Sequence, residues 1–252
     1  MVVALALLAS YWGSAARAQA GDLMIGAPAS FAEAMQSLAA DFSTKTKIKV
    51  RLSTAASSVL VQQVLRGAPF DVLITADSES MDKVDAVGLI APGSRRPFIG
   101  NRLALIVPSQ DNGKRQIAIA GPRDLLKAEV QRVVVADEAV PAGHYARNLL
   151  AKYGVWESLR SKVVGAPNVR AALALVMSGA VDAGFVYTTD AALAKNRVAV
   201  VFTTDDLESA KIRYEVALLN SSRNLSAGRV FLQNLGSLDV QVLLDKRGFR
   251  RL

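Results

Sequence analysis

From Asp22 onward, short apolar runs alternate with amphipathic stretches, and this rhythm restricts the chain to an α/β architecture with mostly parallel sheets. Strands are expected at residues 23–26, 48–53, 70–75, 102–107, 132–136, 181–187, 198–202 and 212–218. Helical spacing follows several of them. Phe31, Met35, Leu38 and Phe42 form one stripe, and Leu60, Val61, Val64 and Leu65 a second. Tyr145, Leu149 and Tyr153 form a third, and Val169, Leu173, Val176 and Met177 a fourth. Each stripe should lay its helix on a sheet.

Two strand-like segments, 101–108 and 211–219, each end in a change of character. The first runs into a turn-rich break, Pro108-Ser109-Gln110-Asp111-Asn112-Gly113, and the second into the polar stretch 220–226. If the chain crosses between two lobes there, the first lobe holds residues 21–100 completed by 219–252, and the second holds 103–212. Hinge strands then lie near 100–103 and 212–219, and a ligand in the cleft would draw the lobes together. No internal sequence repeat, low-complexity tract or heptad array is present.

Four strand ends feed helices that begin with small or hydroxylic residues: Ala29-Ser30 before Phe31, Ser57-Ser58 before Val59, Val140-Pro141-Ala142-Gly143, and Asn168-Val169 before Arg170. A helix start leaves about four backbone N–H groups unpaired and carries roughly half a positive charge, so it attracts an anion without Lys or Arg. Four such starts suggest a cradle for a small oxyanion. Ser30 and Ser57 read most simply as N-caps, their oxygens accepting from their own helices. Turned outward, the same hydroxyls donate. Ala142 and Val169 could offer only backbone N–H, with Pro141 suited to a first helical turn because it has no N–H to leave unpaired. Tyr187, closing its strand, reads as a core or rim aromatic with a wet hydroxyl. Neutral donors suit a fully ionised oxyanion such as molybdate, tungstate or sulfate. Phosphate keeps a proton near neutral pH and would gain from a carboxylate acceptor, which these positions lack.

Residues 2–8 are uninterruptedly apolar, and Ala18-Gln19-Ala20 offers an A-x-A cleavage site before Gly21, so residues 1–20 read as a secretory signal peptide. The apolar run is far shorter than the ~20 residues needed to cross a bilayer. Losing residues 1–20 removes Arg17 and lowers the formal charge from +8 to +7. The positive charge is scattered, with few aromatics among it and no nucleic-acid-binding motif, so a solvated surface that steers anions is expected and no nucleic acid. With no cysteine, a disulfide framework, a thiolate metal site and a Cys nucleophile are all excluded.

Asp71 and Asp77 flank a strand, but one histidine, His144, leaves a metal site short of ligands. Asp77 reads as the N-cap of a helix through Met81, Asp71 as a strand-start or hinge residue, and His144 as a surface or rim residue. No G-x-S-x-G elbow, P-loop, G-x-G-x-x-G or H-E-x-x-H occurs, so catalysis has no support in sequence.

Together these segments resemble the molybdate-binding proteins of bacterial ABC importers, which have the type II periplasmic binding protein fold. The resemblance runs from Asp22 to Phe249. It is carried by Ala29-Ser30, Ser57-Ser58, the stretch from Gly67 to Asp77, Gly100-Asn101, Val140 to Gly143, Val169 to Val176, and Gly184 to Tyr187 before Asp190-Ala191. Two lobes, each with a mostly parallel sheet flanked by helices and joined by a two-strand hinge, are what it implies. It also implies an extracytoplasmic, periplasmic protein that is not an enzyme, needs no cofactor, and captures molybdate, with tungstate, as a monomer for the transmembrane subunits of an ABC permease. Matched motif by motif, the anion would be held by Ser30, Ser57, the amides of Ala142 and Val169, and Tyr187. In the run Ala56-Ser57-Ser58, Ser58 takes the place of Ser57 if the register shifts by one. Pro28 and Asp137-Glu138-Ala139 depart from the family pattern. The alternatives are a binding protein for sulfate or another oxyanion, and, more distantly, a hydrolase or transferase on similar sheets.

Overall fold

The computed structural model describes residues 21–109 and 117–252. The signal-peptide reading of residues 1–20 and the turn expected through Gln110 to Gly113 lie outside the described residues.

Two five-stranded sheets form two lobes. The first sheet contains β1 (Leu23–Pro28), β2 (Val50–Ala55), β3 (Val72–Thr75), β4 (Arg96–Gly100) and β10 (Arg213–Leu218), in the order β2-β1-β3-β10-β4. In the second, β5 (Leu103–Pro108), β6 (Val133–Ala136), β7 (Val163–Ala166), β8 (Ala183–Tyr187) and β9 (Val198–Thr203) follow the order β7-β6-β8-β5-β9. The pairings of β1 with β2 and β3, and of β6 with β7 and β8, are parallel. β10 is antiparallel to β3 and β4, and β5 to β8 and β9. Each sheet therefore has a single reversed strand, and in each it is the strand that arrives from the other lobe: β5 directly after β4, β10 after β9. The two lobes repeat one topology although their sequences show no repeat.

Central strands such as β3 (Val72 to Thr75) and β6 (Val133 to Ala136) are buried along their whole length, which is why they stand out as unbroken apolar runs. β4 and β7 were not expected from the sequence. Both are edge strands, β4 carrying Pro97 and β7 Gly165, and edges tolerate residues that a central ladder rejects.

α1 (Ala32–Thr46) buries Met35, Leu38 and Phe42, and ends at Lys47 in the left-handed conformation, whose N–H bonds the Ser43 carbonyl. The C-terminal helices α9 (Leu225–Leu235) and α10 (Leu238–Lys246) complete the first lobe, with the Phe231 ring 5.2 Å from Phe42 and edge-on to it. Burying each such ring stabilises the fold by about 1.5–3 kcal/mol. Beneath the first helix entry, Phe31 packs against Phe98, Tyr214 and Phe249 at 5.2–5.8 Å. Among the described residues no helix is long and apolar enough to cross a membrane.

Asp71, just before β3, is buried and fixes this lobe. Its carboxylate accepts from Met24 N at 2.8 Å, Ser222 Oγ at 2.8 Å, Arg223 N at 3.1 Å and Asn224 N at 3.3 Å. Asp71→Ala strands those donors and is expected to cost about 3 kcal/mol of stability. The check is a lower urea midpoint at unchanged slope. A midpoint within experimental error of the parent would mean that water replaces the carboxylate.

Candidate functional site

The C-terminal ends of the parallel strands of both sheets face each other, the place where α/β sheets bind ligands. From the first lobe, the ends of β1, β2 and β3 bring Ser30, Ser57 and Ala76. From the second, the turns after β6 and β7 and the end of β8 bring Ala142, Val169 and Tyr187. These residues line one cavity of about 20 Å³. A small ion fits this space and an extended organic molecule does not. All five sequence candidates lie on its wall. Ser57 lines it while Ser58 does not.

How the two serines sit corrects the N-cap expectation. Ser57 is the first residue of α2 (Ser57–Leu65), and the cap position falls on Ala56, whose carbonyl accepts from Val59 N and Leu60 N. Ser57 Oγ instead accepts from Ala76 N at 3.0 Å, and its residue is fully buried. Ser30 lies inside a single 3-10 turn, Ala29–Phe31, that begins after Pro28, and its Oγ lies 2.7 Å from Tyr214 Oη. Each chain segment enters its helix one or two residues early, which swings the hydroxyl from its own helix to the cavity wall.

α4 (Pro141–Lys152) starts with Pro141, so Ala142 carries the first N–H of the helix. Gly143 follows for a steric reason: a Cβ there would stand 2.2 Å from the Ala136 carbonyl oxygen and 2.3 Å from that of Asp137. In α6 (Val169–Met177) the cap is Asn168, whose Oδ1 accepts from Arg170 N and Ala171 N, both at 3.0 Å. The cap spends itself on the second and third N–H groups and leaves the first, of Val169, facing out of the helix end.

Tyr187 is 1% exposed, and among the described residues its hydroxyl has no hydrogen-bond partner. An unpaired buried hydroxyl on a cavity wall costs about 1–3 kcal/mol unless something binds there. Burial pushes the Tyr187 hydroxyl well above the ordinary tyrosine range, so it stays a donor. Apart from this phenol, no titratable side chain among the described residues lines the cavity. Nearby, Arg170 ties the lobes together. Its guanidinium bonds Glu33 of α1 at 2.9 and 2.5 Å and pairs with buried Asp190 at 2.8 Å. Burial pushes the Asp190 carboxyl up, to about 7, against the pull of Arg170.

The remaining candidates are structural. Asp77 caps α3 (Ser78–Asp85) through Ser80 N at 3.2 Å. His144 is half-buried on α4 with its Nε2 2.9 Å from Asn148 Nδ2. Among the described residues no group of three or more His, Cys, Asp or Glu side chains could hold a metal ion. Sequence reasoning missed Tyr214 behind Ser30. Its signal was a tyrosine within the strand expected at residues 212–218, where a buried polar tip must find a partner.

Residues 23–250 match the family described as bacterial extracellular solute-binding protein. The molybdate-binding protein ModA of Escherichia coli is 33% identical over 235 residues, covering 93% of this chain and 91% of its own. That of Haemophilus influenzae is 30% identical, covering 92% and 91%. The solved periplasmic molybdate-binding protein of Azotobacter vinelandii superposes with a TM-score of 0.76 at 22% identity, over 90% of this chain and 98% of its own, a likeness of fold. The chain therefore belongs to the bacterial extracellular solute-binding protein family, alongside the ModA proteins it matches along nearly its whole length.

Proposed function

We propose that this protein captures molybdate, and tungstate with it, in the periplasm and presents it to the transmembrane subunits of an ABC permease. The observation that carries the reading is the buried Tyr187 hydroxyl, without a partner, on a cavity wall that otherwise offers two serines and two helix-start amides. The ModA names of its relatives support the choice of anion.

Capture works by hydrogen bonding alone. Ser30 and Ser57 donate from the first lobe, and Ala142 N–H, Val169 N–H and the Tyr187 hydroxyl from the second, so an anion that accepts from both stabilises the closed form. Opening would pivot on the two crossings, at 101–102 and between β9 and β10, with the first lobe formed by 21–100 and 219–252 together with β10, and the second by 103–212. The lining holds no carboxylate or imidazole base, which supports capture over turnover. We place the protein in the periplasm as a monomer delivered by the leader at residues 1–20. Sulfate shares the charge and shape of molybdate and is the competing ligand.

Tyr187→Phe and Ser30→Ala each remove one donor to a charged ligand, worth about 1.5–3 kcal/mol. Each should therefore weaken molybdate binding roughly 10- to 150-fold in isothermal titration, with little change in melting temperature for Tyr187→Phe and a lower one for Ser30→Ala, which takes the acceptor from buried Tyr214. Parent-like affinity in both variants removes these two residues from the site.

A further inference from the structure

We propose that Tyr214 and Asn101 are specificity-determining positioning residues, which fix the direction of the Ser30 hydroxyl so that its proton points into the cavity; the inference rests on the oxyanion reading above. Neither touches the cavity. They form a chain that begins where the polypeptide first crosses between lobes and ends at Ser30.

The direction of that chain follows from its one unambiguous end. Asn101 is fully buried between β4 and β5, and one of its amide atoms accepts from Arg102 N at 2.9 Å. A backbone N–H can only donate, so that atom is the carbonyl Oδ1, which also accepts from Thr188 Oγ1 at 3.2 Å. The opposite atom is then the NH₂ group. It donates to Thr189 Oγ1 at 3.0 Å and to Tyr214 Oη at 3.3 Å.

With its oxygen accepting from Asn101, Tyr214 has one proton to give and one acceptor in reach, Ser30 Oγ at 2.7 Å. The reverse arrangement, with Ser30 donating to Tyr214, would leave the phenolic proton buried without an acceptor. Tyr214 is fully buried, and burial raises its hydroxyl well above the ordinary range, so the proton stays in place. Ser30 Oγ therefore accepts from behind and turns its own proton to the cavity.

Ser57 is set the same way by a backbone group. Its Oγ accepts from Ala76 N, so its proton is also free for the ligand. The cavity then presents donors from both lobes and no carboxylate to take a ligand's proton. An anion that carries a proton finds there only hydroxyl oxygens already oriented to donate, and a site of this kind disfavours it. Tyr214 and Asn101 thus act on the choice between proton-free and protonated tetrahedral anions, above any effect on molybdate itself.

The test titrates the intact mature chain and its Tyr214→Phe variant with molybdate, sulfate and phosphate at pH 8, in the parent and in a Ser30→Ala background. Freed from its donor, Ser30 can rotate and accept. The expected result is about tenfold weaker molybdate binding together with a phosphate-to-molybdate affinity ratio narrowed by about tenfold. Both effects should vanish in the Ser30→Ala background. Asn101→Asp provides a second route, because a carboxylate draws the Tyr214 proton away and turns Ser30 out of the cavity. It should weaken molybdate binding more in the parent than in the Ser30→Ala background, where only the added charge still acts. Unchanged phosphate rejection in Tyr214→Phe, or losses that add in full to those of Ser30→Ala, would overturn the proposal. Failure of the unmutated chain to bind any tetrahedral anion would instead strike the oxyanion reading beneath it.

Discussion

Gly143→Ala should weaken molybdate binding about 100-fold and lower stability by about 1–3 kcal/mol, although it adds one methyl group to a helix. On helix propensity alone, Ala in place of Gly would stabilise by up to about 1 kcal/mol. Sterics override this. The new Cβ would meet two backbone oxygens, of Ala136 and Asp137, at 2.2 and 2.3 Å, and the Ala136 carbonyl carbon at 2.7 Å. No side chain is available to rotate away, so the start of α4 must lift by on the order of 1 Å, enough to break a hydrogen bond from Ala142 N–H. A thermal melt beside a molybdate titration checks this. A variant more stable than the parent and equal to it in affinity would show that α4 does not pack this closely.

Ser57→Ala is the second large effect, because Ser57 serves two partners at once. In the proposed site its hydroxyl donates to the anion, while its oxygen accepts from Ala76 N at 3.0 Å. The variant loses a bond to a charged ligand, about 1.5–3 kcal/mol, and strands a buried backbone N–H, about 1–3 kcal/mol. Binding should fall by about 100-fold and stability by about 1 kcal/mol or more. Ser58→Ala, one residue on and away from the cavity, should change neither measurably. Equal losses in the two variants would show that the serine register is set differently.

The contrast between these serines also marks how far the sequence could be read. Strands buried on both faces, such as Val133 to Ala136, announce themselves as apolar runs, and helices with one buried stripe show their period. β4 and β7 do not, because an edge strand needs neither continuous hydrophobicity nor freedom from Pro and Gly. The C-terminal helices α9 and α10 are absent from the sequence expectation although Ala227, Phe231 and Leu235, and Val240 and Leu244, fall at helical spacing.

Within the site, which residues gather was legible at the strand-to-helix junctions. Their hydrogen bonding was not. Whether Ser57 caps its own helix or accepts from Ala76 turns on a shift of one residue in where the helix starts, and propensity does not resolve that. The Asn101–Tyr214–Ser30 chain joins residues up to 184 positions apart, and only the folded topology brings them together.

Isothermal titration of residues 21–252 with molybdate in excess phosphate decides whether a cavity rich in donors and free of carboxylates binds a proton-free tetrahedral anion. The expected result is a tight one-to-one isotherm that sulfate weakens only by competition and phosphate leaves unchanged. A folded chain that gives no heat with molybdate, or one that phosphate displaces as readily as sulfate does, would contradict it.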